Sequence, residues 1–527
     1  MTSMTAGERI AALSPSRRAL LELLLIEEVA AGSRTAAVPV SSRERERTAP
    51  LAFGQQRLWL QERLEPGSAA YNTASALRLR GAVDPALLRR CFAEISRRHE
   101  SLRTTFSESG GVPVQTVGPP APVELPVVDL AGLPVERRDA ELRRVAEGEF
   151  LRPFDLARGP LHRARLVRLE LDEYALLIAM HHIVSDAWSM GVLTRELAAI
   201  HAAFAAGRPS PLPELPLQYA DFARWQQEWM AGPALEEQLA YWRGRLAGAP
   251  EVLEVPPDRP RPAARRFRGG LLTARLPREV ADPFRELCSQ RGVTLFMALL
   301  AIFEVLLHAR TGESDLVVGV DVAARNPPET EALIGFFVNQ LVLRVDAGGD
   351  PSFAELLERV REASLGAFAH QDLPFGRLVE ELAPRRTLAR NPLFQVMFGL
   401  YNVPQGELDL GGVAVIPLEI EGGASVFDLS LYAAESGEEL LLMLRHDADL
   451  YEPATAGRLL EDFEILARRA VAAPDERLSA LVEHLAAERR RRREAGREGL
   501  EKARLKTLKT VRRRAVAAPD EPDEKDS

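Results

Sequence analysis

Tyr174-Ala175-Leu176-Leu177-Ile178-Ala179-Met180-His181-His182-Ile183-Val184-Ser185-Asp186-Ala187-Trp188-Ser189 is the stretch from which the fold can be read. Its first seven residues form an apolar, partly β-branched run, the pattern of a buried strand. Alternation along a strand sends neighbouring side chains to opposite faces, so only one of His181 and His182 can enter a given cavity. From Trp188 to Ala203 the apolar residues recur at helical spacing. The histidines therefore fall on a strand-to-helix loop, where reactive groups are commonly displayed. Two adjacent histidines, an acid four residues past the second and a hydroxyl three further on can assemble an acyl-transfer base with its supports. The same residues also fit a pair of structural histidines at a strand end. A metal site fits less well, because zinc ligands recur at i, i+4 or as cysteine pairs and nothing of that kind follows.

At 527 residues the chain is too long for one core and predicts two or three lobes. Apolar residues at 46% and charged residues at 27% exclude a disordered chain and a membrane-embedded one. The chain has no long apolar run and no basic-then-apolar start, so neither membrane attachment nor secretion is expected. Cys91 and Cys288 stand far apart, which gives no disulfide framework and suits a cytoplasmic location. The net charge of −9 is unevenly spread, with thirteen Lys/Arg against three Glu between Arg489 and Arg514. The rest is distinctly acidic, so the basic stretch reads as a tail used for contact or left solvated. Nucleic-acid binding is not expected from an acidic body and a tail without interleaved aromatics.

Ser14-Pro15 caps a short apolar helix that runs to Ile26, and a polar linker follows, so residues 1–49 read as a candidate docking element. A first lobe is expected over 50–229 and a second over 230–480, with a proline-rich crossing at 255–262. Residues 481–527 read as a basic, helix-prone tail with an acidic end. The patterning predicts helices over 84–98, 279–291, 294–309, 353–369 and 453–471. It predicts strands over 103–106, 114–118, 271–276, 315–322, 339–346, 394–401, 413–420, 426–433 and 438–447. Mixed strands and helices in both halves predict an α/β fold of two sandwiches similar in size.

Further segments stand in a telling order. Leu51-Ala52-Phe53-Gly54-Gln55-Gln56-Arg57-Leu58-Trp59-Leu60 comes first, then Arg98-His99-Glu100-Ser101-Leu102-Arg103-Thr104-Thr105-Phe106, then the double-histidine motif. Tyr219-Ala220-Asp221-Phe222-Ala223-Arg224-Trp225, Ile334-Gly335-Phe336-Phe337-Val338-Asn339, His370-Gln371-Asp372-Leu373-Pro374-Phe375 and Arg390-Asn391-Pro392-Leu393-Phe394 follow. Over about residues 50 to 480 the chain resembles the condensation domains of non-ribosomal peptide synthetases. The resemblance implies two lobes, each similar to chloramphenicol acetyltransferase, in a V-shaped pseudo-dimer with the active site in an interlobe tunnel. It implies an acyltransferase-type reaction in which a donor thioester and an acceptor amine arrive on the phosphopantetheine arms of partner carrier proteins. No metal and no cofactor of the chain's own are implied. The absence of a following adenylation or carrier segment points to a free-standing enzyme, with the N-terminal helix and the basic tail as its candidate contacts to other assembly-line proteins.

Residue roles follow from the same resemblance. His182 is expected to face the tunnel as base or amine-positioning group, and His181 to face the core. Asp186 is expected to be a structural acid paired with an arginine, Arg103 and Arg344 being the candidates. The family has glycine where this chain has Ala187, whose amide is a candidate oxyanion donor unless the position needs positive φ. Ser189 and Asn339 are candidates for substrate contact, and Trp188 for packing. Tyr219, Phe222, Trp225 and Trp229 are expected to bury one helix face at the lobe junction, and His370 to be a surface or capping residue. The motif wording resembles domains that join an L-configured donor to an L-acceptor. Amide formation is the first expectation. Ester formation or β-elimination on the same scaffold, or a platform that recruits a tailoring enzyme, are the alternatives.

Overall fold

The computed structural model describes residues 47–383, 387, 389–401, 408–418 and 423–494. The expected helix ending at Ile26, its linker and most of the basic tail lie outside the described residues.

The first half contributes strands β1 (Thr48–Pro50), β2 (Asn72–Arg80), β3 (Thr104–Ser109), β4 (Val112–Val117), β5 (Val127–Asp129), β6 (His162–Glu170) and β7 (Glu173–His181). Its helices are α1 (Phe53–Leu64), α2 (Pro85–Arg98), α3 (Val135–Phe150), α4 (Ala187–Ala205) and α5 (Tyr219–Trp229). The second half adds β8 (Gly269–Leu276), β9 (Asp315–Val322), β10 (Asn339–Asp346), β11 (Val396–Tyr401), β12 (Ala414–Pro417), β13 (Leu429–Ser436) and β14 (Glu439–Asp447). Its helices are α6 (Pro233–Leu246), α7 (Arg278–Arg291), α8 (Leu295–Thr311), α9 (Phe353–Ala369), α10 (Phe375–Leu382) and α11 (Pro453–Ala472), and α12 spans 478–494.

The histidine-bearing strand is the centre of the first lobe. Its sheet runs β12-β2-β7-β6-β5, and every residue of β7 from Tyr174 to His181 is buried. Alternation divides its side chains between two faces. Leu176, Ile178 and Met180 pack with Leu88, Cys91, Phe92 and Ile95 of α2 and Val192, Leu193, Leu197 and Ile200 of α4. Ala175 and Leu177 pack on the other face with Leu142 and Ala146 of α3. α2 begins at Asp84, whose carboxylate accepts from the amides of Ala86 and Leu87 just ahead of a proline at the first helical position.

The second lobe is a six-stranded sheet, β10-β9-β11-β13-β14-β8. β11 lies parallel to β9 and β13, and the other pairs are antiparallel. α8 is apolar nearly all round and is buried from Met297 to Leu307 within that lobe's core. Among the described residues no single helix is long and apolar enough to cross a membrane.

Two boundaries differ from the sequence reading. β12 comes from the second half yet pairs antiparallel with β2 at the edge of the first lobe's sheet, Ala414 opposite Arg80 and Pro417 opposite Leu77. The tail also starts later than residue 481: Leu478, Leu481 and Leu485 are buried in the second core, and Arg489 pairs with Asp462 at 2.7 Å.

Candidate active site

β7 ends at His181, and a single turn of 3-10 helix, His182–Val184, carries the chain to α4. The turn is why two adjacent histidines diverge. His181 is buried against the edge of Phe154, and its Nδ1 accepts from the amide of Ile183 at 3.1 Å. Burial, and then the neighbouring His182, push its pKa down to about 3, so it is neutral and structural.

His182 keeps part of its surface accessible and meets Phe336 edge-on, with ring centroids 4.8 Å apart. Its Nδ1 lies 2.7 Å from the carbonyl oxygen of Ser185. A carbonyl can only accept, so Nδ1 carries the proton and Nε2 keeps its lone pair. Nothing among the described residues hydrogen-bonds that Nε2. Gln55 of the opening motif holds the turn from behind, donating to the carbonyl of Ile183 at 3.1 Å.

Asp186 caps α4 and is 1% exposed. Its carboxylate accepts from the amide of Ser189 at 2.7 Å, the amide of Phe337 at 3.0 Å and the guanidinium of Arg325 at 3.0 Å. The arginine is thus Arg325, not either candidate from the sequence. Arg103 donates to the Gly118 carbonyl and to Glu100, and Arg344 pairs with Asp315 at 2.7 Å. Arg325 also donates to the carbonyls of Thr330 and Leu333 at 2.6 and 2.8 Å and lies over the Phe337 ring, 4.0 Å from its centroid. Burial lowers its guanidinium from the usual range, and Asp186 pulls it back.

Two further expectations need correction. Ser189 is fully buried; its Oγ lies 2.7 Å from Asp186 and 2.9 Å from the Gly335 carbonyl, and accepts from the Gly335 amide at 3.0 Å. It joins the two lobes and has no capacity left for substrate. Asn339 is spent in the same way. Its Nδ2 donates to the carbonyls of Gln371 and Leu373 at 2.9 and 2.7 Å, and its Oδ1 accepts from the Phe375 amide at 2.9 Å. Asn339 does line a cleft of about 530 Å³, open mouth included, with Gly54, Trp225, Trp229, Phe336 and Asp372.

Ala187 is the first residue of α4, is exposed and is not among the residues with positive φ. The backbone there accepts alanine without strain. As a helix N-terminal amide it has no intrahelical partner. Trp188 packs as expected, donating its indole N–H to the Glu331 carbonyl at 2.9 Å. Tyr219, Phe222 and Phe337 form a ring cluster at the lobe junction, and Trp225 stacks on Trp229. His370 stacks on Tyr241 with centroids 3.8 Å apart and bonds the Gly366 carbonyl, a capping role.

The second motif supports the same joint. His99 Nδ1 accepts from the Ile334 amide at 3.2 Å while Nε2 donates to Glu196 at 2.8 Å, and Arg98 pairs with the other Glu196 oxygen. Arg325 and Glu196 escape a reading of the sequence because each lies outside the motifs and its partner is far along the chain.

Comparison with known proteins identifies the family. The family model described as a condensation domain matches residues 45–491. A linear gramicidin synthase chain of Brevibacillus parabrevis is 43% identical over 459 residues, which span 87% of this protein but 6% of that synthase chain. The phosphinothricin tripeptide synthetase PhsC of Streptomyces viridochromogenes is 41% identical over 478 residues, 90% of this protein and 44% of that one. An X-domain from teicoplanin biosynthesis, solved as a complex with OxyB, superposes with a TM-score of 0.76 at 29% identity, covering 85% of this chain and 98% of that one. The first condensation domain of the calcium-dependent antibiotic synthetase, bound to a substrate analogue, does so at 0.70 and 25%, covering 82% and 98%. The two lobes are of the chloramphenicol acetyltransferase-like kind. The chain belongs to the condensation-domain family of non-ribosomal peptide synthetases, acyltransferase-type enzymes that form amide bonds.

Proposed function

We propose that this chain joins a carrier-bound acyl or aminoacyl donor thioester to the amine of an acceptor, carrier-bound or free, to form an amide. The observation that carries this reading is the tautomer of His182. The Ser185 carbonyl accepts the hydrogen bond from Nδ1–H and leaves Nε2 as an acceptor on the half-buried His182 ring. The amine nitrogen attacks the thioester carbon, its excess proton passes to His182 Nε2, and the carbonyl electron pair moves to oxygen. The oxyanion then collapses, the C–S bond breaks, and the thiolate takes the proton from His182. The free Ala187 amide at the start of α4 is the proposed donor to that oxyanion, where the helix dipole adds to it.

Phosphopantetheine arms on donor and acceptor carriers are the proposed carriage for both substrates. The basic tail is a proposed contact for acidic carriers. A reducing cytoplasm suits the two buried free thiols, Cys91 and Cys288.

Intact-protein mass spectrometry of loaded carriers tests the reading. The wild type is expected to move the donor acyl mass onto the acceptor. His182→Ala is expected to do so about 10²- to 10⁴-fold more slowly at an unchanged melting temperature. Hydroxylamine-stable product separates amide from ester, and loss of one water on a single carrier selects elimination instead. A recruiting platform is the second reading, favoured by the likeness to the X-domain solved with OxyB. Carrier binding without transfer, indifferent to His182→Ala, would establish it.

A further inference from the structure

Asp321 of β9, Gln340 of β10, Tyr401 of β11 and Tyr432 of β13 form a wall of polar side chains on the second lobe's sheet. Asp321 and Gln340 are register partners on β9 and β10. Gln340 donates its Nε2 to Asp321 Oδ1 at 3.2 Å, and Arg57 of the opening motif donates to Gln340 Oε1 at 2.6 Å. The Tyr432 hydroxyl donates to Asp321 Oδ2 at 3.2 Å, and Tyr401 stacks on Tyr432 with centroids 4.9 Å apart.

This wall is enclosed yet reachable. Tyr401 is 40% exposed, while protein crowded around it, with Asp321 beside it, pushes its phenol up to about 12. Asp321 keeps accessible surface too. Its carboxyl is raised because burial outweighs the bonds from Gln340 and Tyr432 and the attraction of His182 and Arg57. α1 ties the two groups together: Gln55 holds the histidine turn at the Ile183 carbonyl, and Arg57, two residues on, bonds Gln340, the partner of Asp321.

What Asp321 lacks is a cation in contact. Among the described residues it receives two neutral hydrogen bonds and no ion pair; Arg57 stands one residue removed, behind Gln340. The two acids that brace the histidine loop and the second motif are paired directly, Asp186 with Arg325 and Glu196 with Arg98. A carboxylate has about four lone-pair sites, so two remain open. Placing a charge this deep without a partner is costly unless something completes it.

We propose that Asp321 is the acceptor-amine recognition group, its open lone pairs taking the N–H bonds of the acceptor's amino group on the side opposite His182. The proposal rests on the condensation reading and deepens it: the acceptor is an aminoacyl group, selected over its hydroxyacyl or des-amino counterpart. Asp321 is then a positioning residue, and the proton of the reacting amine still leaves through His182.

Calorimetric binding of unreactive alanyl-, leucyl- and phenylalanyl-pantetheine amides, each beside its des-amino counterpart, tests it. The wild type is expected to bind the amine-bearing probe about tenfold more tightly. The isosteric Asp321→Asn is expected to lose that preference while binding the des-amino probes as before. Tyr432→Phe, which keeps the carboxylate, is expected to retain it. Absence of a preference in the wild type, which needs no variant, overturns the proposal, as does a preference that survives Asp321→Asn. Because the probes do not react, the result stands apart from whether loaded carriers exchange acyl groups. Transfer without amine preference defeats only the assignment of Asp321, whereas amine preference without transfer defeats the condensation reading.

Discussion

Asp186 and Arg325 decide the local architecture, because neither can be solvated by anything but the other and its neighbours. They are 1% and 7% exposed, and the carboxylate holds the amides of Ser189 on α4 and Phe337 from the other half. Removing one partner of such a pair costs about 3–5 kcal/mol, since the remaining charge stays buried. Asp186→Ala is therefore expected to lower the urea midpoint sharply, and Arg325→Met likewise, while the double variant costs less than the sum of the two. Unfolding curves on all three check this; additive effects would show that the two charges act separately. The histidines and Asp186 are legible in the sequence because they share one short strand-to-helix loop. Arg325 is not, because it comes from a loop 139 residues away and no local pattern marks it. Ser189 and Asn339 read as substrate contacts because a polar side chain near a motif looks available until its partners in the other half are known.

At the scale of elements, the irregular segment from Ile334 to Val338, just ahead of β10, works as an insert between clusters of the other half. Ile334 joins the cluster beneath α2 and α4, Phe336 the one around Ile183, and Phe337 the one around Tyr219. Gly335 is required in the middle of it: a Cβ there would sit 2.0 Å from a ring carbon of Tyr219, whose hydroxyl bonds the Phe336 carbonyl at 2.5 Å. Gly335→Ala is expected to cost about 1–3 kcal/mol as an overpacking change. Thermal melting checks it, and an unshifted transition would mean that Tyr219 moves aside freely. Periodicity exposes most of the second lobe: the strands expected over 315–322 and 339–346 coincide with β9 and β10. β2 escapes the pattern. Thr73, Ser75 and Arg78 are half-buried and give weak alternation, and its strand character comes from pairing with β7. β12 is legible as a strand, but its sheet is not, since register with β2 is set by contacts far along the chain.

For the whole molecule, two lobes do not mean two independent bodies. Leu410 and Val413, leading into β12, are buried with Leu79 of β2 in the first core. Truncating a buried leucine costs about 2–5 kcal/mol, and at this joint the cost is expected to fall on the lobe contact before either core. Leu410→Ala should speed amide hydrogen exchange in β2 and β12 and slow acyl transfer, with exchange in β7 and β13 little changed. Uniformly faster exchange across both sheets would instead mark a single cooperative unit.

The borrowed strand also bears on how such chains can be recombined. A crossover placed in the linker after α5 looks clean in the sequence, yet it would give the first half a foreign edge strand and a foreign 334–338 segment. The Asp186 carboxylate would then have to find a new amide and a new guanidinium at once. Breakpoints that preserve the fold must move Arg325, β12 and the inserted segment with the half that contains the histidines. The wall around Asp321 can be exchanged with the rest of the second lobe only where residue 340 still accepts from Arg57 of α1.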